Sequence, residues 1–161
     1  MSHRIIELLV EYELAVSELY RACAAKFPDE QSFWNELAEE EVDHAFRIRM
    51  ISEEADAGYV EVDDKVFAER PVESSIEYAR EITQRVLSNG INLLGVLSLA
   101  YDIESSLIES EYYKVFKGDS LRFNAMIREI HMESAIHKKK IGEKRDQLSE
   151  LNRPPVLERW D

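Results

Sequence analysis

The segment Leu37-Ala38-Glu39-Glu40-Glu41-Val42-Asp43-His44-Ala45-Phe46-Arg47-Ile48 decides how the chain is read. At helical period, Trp34, Leu37, Glu41, His44, Ile48 and Ile51 fall on one stripe, stepping alternately by three and four residues. The stripe is apolar except at its middle, where a carboxylate and an imidazole sit one turn apart. Glu39, Glu40 and Asp43 lie off it, on the face an amphipathic helix turns to water. Glu41 does not. An ionised carboxylate aimed at a core costs several kcal/mol unless a partner compensates it. A Glu-x-x-His pair on a core-facing helix is therefore a candidate metal-ligand pair.

The flanking sequence extends the helical reading in both directions. A first helix is expected from after Ser2 to about Phe27, where Pro28 stops it, with an inner stripe of Ile6, Leu9, Val10, Glu13, Ser17, Tyr20, Ala24 and Phe27. Again an acid stands among core positions. Asp29 is a suitable N-cap for the second helix, which continues to about Ala57 with Gly58 as its C-cap. From Tyr59 to Val72 the chain is polar and acidic and reads as an extended connection, followed by a shorter crossover helix over residues 73–87. Ser88-Asn89-Gly90 breaks the chain before a third helix from Ile91 to Phe116, with the stripe Leu94, Leu97, Tyr101, Glu104, Ile108, Glu111 and Val115. Gly118-Asp119-Ser120 is the next turn. A fourth long helix, Leu121 to Leu151, presents Phe123, Ile127, Ile130, Ser134, His137, Ile141 and Leu148. Residues 152–161, with Pro154-Pro155, form a tail.

Helices of about 25 residues are close to 40 Å long. Two short-loop hairpins joined by one long crossover (residues 59–90) is the connectivity of an all-α, ferritin-like four-helix bundle spanning residues 1–151. The halves resemble each other: Tyr20 and His44 stand as far apart in sequence as Tyr113 and His137. A two-hairpin bundle gives similar spacings without duplication.

The bulk properties agree with a single helical domain. The 161 residues are 45% hydrophobic and 33% charged, with few Gly and Pro. A formal charge of −13 argues against nucleic acid and against anionic membrane surfaces as partners. Cys23 is the sole cysteine and reads as a buried small hydrophobe; no intramolecular disulfide or cysteine-ligated metal site can form within one chain. The early acids Glu7, Glu11 and Glu13 do not suit a secretory signal, and the apolar run from Ile91 to Ile103 is too short to span a bilayer. A cytoplasmic setting is the expectation.

Glu13, Glu41, His44, Glu104 and His137 each fall near the middle of an expected helix, so in an antiparallel bundle they arrive at one level. Taken singly, each has an ordinary explanation: a Glu on an apolar stripe snorkels, and a core His donates to a backbone carbonyl. Their coincidence on four helices favours a metal. Tyr20 and Tyr112 are candidate hydrogen-bond donors to the carboxylates, or plain core tyrosines. Glu109 reads as solvated, and Glu111 lies about 10 Å along the axis from Glu104.

The runs Glu11-Tyr12-Glu13-Leu14-Ala15-Val16-Ser17-Glu18-Leu19-Tyr20 and Leu37 to Ala45 resemble the first two metal-binding helices of the rubrerythrin-like branch of the ferritin-like superfamily. Ala100-Tyr101-Asp102-Ile103-Glu104, with Tyr112 beyond, is similar to its third. The resemblance covers roughly residues 3 to 150. It implies a diiron site that reacts with dioxygen or hydrogen peroxide, with Glu41 and Glu104 bridging, Glu13 and His44 on one metal, and His137 with Glu133 on the other. It also implies a homodimer. Hard carboxylates with imidazoles suit iron or manganese.

The chain departs from that family in two ways. Rubrerythrin itself carries a cysteine-ligated iron domain; the cysteines for one are lacking here, so electrons are expected from a separate donor. In the fourth helix, Glu133-Ser134-Ala135-Ile136-His137, the pattern wants Glu where Ser134 stands. Glu133 is turned only about 40° from His137. It either swings in as a ligand or is an edge residue paired with Lys140 or Arg128. Without it, one ion or none replaces two. Three functions stay open: peroxide or dioxygen reduction coupled to iron oxidation, non-catalytic iron binding, and a degenerate bundle acting as an interaction module.

Overall fold

Long runs of good helix formers set the frame, the first two of them free of internal Gly and Pro. In the computed structural model, which describes residues 2–63, 68–106 and 111–152, the first run is helix α1, Ser2–Lys26. It ends before Pro28, and a short 3-10 turn, Pro28–Glu30, leads directly into α2, Gln31–Asp56. The N-terminus of α2 differs from the expectation. Asp29 lies inside the 3-10 turn, and Glu30 occupies the cap position without a side-chain cap bond. At the other end Gly58 takes φ +81°, a left-handed conformation open to glycine, and its N–H returns to the Ala55 carbonyl at 3.0 Å.

Helix α1 buries most of its circumference because it is packed on two sides, leaving a stripe through Arg4, Glu7, Glu18, Arg21 and Ala25 exposed. One side carries Glu13, Ser17 and Tyr20 toward α2. The other receives α3, Glu69–Leu87, through the buried Val72, Ile76, Ala79, Ile82 and Val86. Ion pairs Arg4–Glu73 (3.1 Å) and Arg80–Glu11 (2.8 Å) edge that contact. The crossover helix thus begins earlier than residue 73, with Pro71 in its first turn, where a missing N–H costs nothing.

Helix α4, Leu93–Glu104, opens on Asn92, whose side chain accepts the Gly95 N–H at 2.8 Å. It is much shorter than the expected Ile91–Phe116 helix. Its last residue is Glu104, closed by bonds from Ser105 N–H to Tyr101 O and from Ser106 N–H to Ile103 O. Beyond it come a 3-10 turn, Tyr112–Val115, and a strand, β2, Phe116–Gly118. That strand pairs antiparallel with β1, Val60–Val62, in the register Val60↔Gly118, Glu61↔Lys117 and Val62↔Phe116. The segment read as an extended connection and the supposed end of the third helix are therefore partners in a small ribbon. Val60 and Phe116 bury its inner side, and Lys117 pairs with Asp63 at 2.7 Å outside.

Helix α5, Leu121–Leu151, has the bounds expected of it, with the Ser120 hydroxyl accepting the Phe123 N–H at 3.0 Å. It packs against α4 and α2. The fold is all-α apart from the ribbon, with five helices among the described residues. None of these helices is long and apolar enough to cross a membrane. Ile108, Glu109 and the tail from residue 153, like the side chain of Tyr112, lie outside the described residues.

Candidate metal centre

Four helices each place a polar side chain inside the apolar core. Glu13 from α1, Glu41 and His44 from α2, and His137 from α5 are 0% exposed, and Glu104 from α4 is 4% exposed. Glu13, Glu41, His44 and His137 lie within their helices, as the stripes require. Glu104 does not lie mid-helix as expected; it is the terminal residue of α4.

The five residues form two overlapping groups. Glu13, Glu41 and His44 bring one ligand atom each to within 4.8 Å of one another, and so do Glu41, Glu104 and His137. Glu41 belongs to both. Its Oε2 stands 3.1 Å from His44 Nδ1 and its Oε1 stands 2.8 Å from His137 Nδ1. Glu13 Oε2 lies 3.9 Å from His44 Nδ1, and Glu104 Oε1 lies 3.8 Å from His137 Nδ1. The two imidazoles stack, centroids 5.4 Å apart and planes at 23°. Both turn Nδ1 toward the shared carboxylate.

The surroundings fix this arrangement. The Tyr20 hydroxyl donates to Glu104 Oε1 at 2.5 Å, and its ring packs on Trp34 at 5.5 Å, which is itself fully buried. Ser17 donates to the Ala38 carbonyl at 2.8 Å, holding α1 to α2 one turn from Glu13. Burial pushes the Glu41 carboxyl upward, but hydrogen bonds and charge from His137 and His44 outweigh it and hold the group well below the usual carboxylate range. Burial pulls His137 down, while Glu41 and the nearby Glu40 raise it above its ordinary value. Three buried carboxyl groups and two imidazoles thus converge in the interior, a donor set able to hold a cation.

Glu133 and Ser134 occupy different surroundings. Glu133 Oε2 lies 3.0 Å from His44 Nε2, on the ring edge away from Glu41, and accepts from Arg47 rather than from Lys140 or Arg128. Burial raises its carboxyl, and Arg47 and His44 bring the balance below the usual range. It falls outside both ligand groups. Ser134 is buried and donates to the Ile130 carbonyl of its own helix at 3.1 Å.

One participant escapes a reading based on apolar stripes. Glu40, expected on the wet face, brings Oε2 to 2.6 Å from His137 Nε2. The signal for it was present in the sequence: Glu36, Glu40, His44 and Arg47 recur at the same spacing as Glu129, Glu133, His137 and Lys140. Compared with known proteins, the chain matches no family model, no curated protein and no solved structure.

Proposed function

We propose that this chain is a ferritin-like metal-binding protein of the rubrerythrin type. It holds two iron ions between its four central helices and reduces hydrogen peroxide or dioxygen with electrons from a separate donor. The observation that carries this reading is Glu41, a fully buried carboxylate whose two oxygens serve two different donor groups, each with its own imidazole. Glu13 and His44 would hold one ion and Glu104 and His137 the other, with Glu41 between them. The donor set is three carboxylates and two imidazoles, which suits iron or manganese and lacks the thiolates of a soft-metal site.

When bound, the metal pair would supply two electrons to the oxidant. The chain's own residues do the rest. Tyr20 holds Glu104 in one orientation, and Trp34, Leu37 and Ile48 keep the inner face of α2 apolar. A second reading rests on Ser134. With Ser134 three residues before His137 and Glu133 turned to Arg47 and the outer edge of His44, the α5 side offers fewer donors, which favours one tightly held ion and iron binding without turnover.

Anaerobic titration with ferrous iron, followed by peroxide, separates the readings. Two-electron consumption of peroxide per chain over repeated cycles, given a reductant, supports the enzyme. Uptake of iron without turnover supports the binding protein, and no uptake removes both.

A further inference from the structure

The outer edges of the two imidazoles carry an assignment of their own. Glu133, on α5, faces Nε2 of His44 on α2, and Glu40, on α2, faces Nε2 of His137 on α5. Both carboxylates are about one-third exposed (32% and 33%), whereas both rings are fully buried. Each acid is steadied by a cation from the helix whose histidine it faces. Arg47 bonds Glu133 and lies 3.8 Å from Glu129. Lys140 lies 2.5 Å from Glu36 and 3.9 Å from Glu40. The two helices therefore carry one polar series, acid, acid, histidine, cation, and exchange it crosswise over the seam between them.

We infer that Glu40 and Glu133 are positioning residues for the metal centre, each accepting the Nε2 proton of the opposite helix's histidine so that Nδ1 of both rings is free to bind metal. The inference rests on the metal-binding reading above. A neutral imidazole carries one N–H, and a carboxylate can only accept it. A carboxylate at Nε2 therefore keeps a proton on that nitrogen when an ion displaces the Nδ1 proton shared with Glu41, and it prevents the ring from turning over. Nδ1 is the atom that already faces Glu41 in both rings. Glu133, gripped by a guanidinium, is the firmer of the two supports; Lys140 is shared between Glu36 and Glu40.

Zinc(II), a diamagnetic probe, tests this through binding calorimetry and long-range proton–nitrogen spectra of the histidine rings. The wild-type chain loaded with zinc is expected to show both rings protonated at Nε2 and bound through Nδ1. Glu40→Leu and Glu133→Leu should each weaken zinc binding by roughly 10- to 100-fold. Glu40→Gln and Glu133→Gln, whose amide oxygen still accepts, should lose less and keep the Nε2–H signature. If a leucine variant does not fold, the glutamine variants and the wild-type spectra decide. Wild-type affinity in the leucine variants, or metal on Nε2, overturns the inference and leaves the metal centre standing. A wild-type chain that takes up neither zinc nor iron removes the metal reading and this inference with it.

Discussion

The α2 and α5 sides of the centre carry the same outer series and part at one inner position. Where α2 places Glu41 one turn before His44, α5 places Ser134 one turn before His137. Glu41 reaches across to both imidazoles; Ser134 bonds back to its own helix. The outer shell is supplied twice and the central carboxylate once. Glu41 therefore belongs to both donor groups, and on the proposed metal-binding reading α2 would supply a larger share of the binding energy than α5.

The largest test of this asymmetry is Glu41→Ala. It should abolish binding at both groups, whereas Glu13→Ala and Glu104→Ala should each impair one. With ferrous iron or manganese(II) at a hundredfold excess over Kd, the wild type gains about 2.7 kcal/mol by linkage, and Glu41→Ala should lose that gain in thermal unfolding. Ser134→Glu probes the same comparison from the other side. In the metal-free protein an added buried carboxylate should destabilise by several kcal/mol, and metal should recover more stability than it confers on the wild type. An unchanged gap between metal-free and metal-loaded melting would mean that position 134 does not serve the centre.

A smaller effect is the pH dependence of the metal-free protein. Glu41, held below its ordinary range, contributes stability that is complete above about pH 4.3 and is lost as pH falls further. His137, held above its range, contributes stability that is complete below about pH 6.5 and is lost as pH rises through its raised value. The urea midpoint in chelator should therefore be highest between about pH 4.3 and 6.5. Added metal should reverse the alkaline decline, because the Nδ1 protons must leave before an ion binds. The smallest of these effects belongs to Tyr20→Phe. It removes the bond to Glu104 and should cost about 1–3 kcal/mol in urea unfolding, with the α4 side of the centre weakened more than the α1 side.

What the sequence discloses follows from which forces are local. Helical period marks Glu13, Glu41, His44, Glu104 and His137 as inward candidates, and it is their coincidence on four helices that separates them from Glu111, which shares the Glu104 stripe and pairs with Lys114 at the surface. It also bounds α5, since Ser120 caps locally. It fails where the deciding partner is distant. Val60–Val62 and Phe116–Gly118 are too short to show an alternating pattern, and each is a strand only because the other is beside it. The same ribbon takes residues 116–118 out of the expected third helix, whose first part, α4, ends at Glu104. Glu40 lies off the apolar stripe of α2 and still meets His137, because α5 runs alongside that flank. A stripe describes one helix; the seam between two helices has to be read from both.

The most direct test is a crystal soaked in ferrous iron and measured across the iron absorption edge. Two anomalous peaks are expected, one on either side of the Glu41 carboxylate, the first against Glu13 and His44 Nδ1 and the second against Glu104 and His137 Nδ1. No iron peak beside Glu41, with its carboxylate still hydrogen-bonded to both imidazoles, would contradict the account.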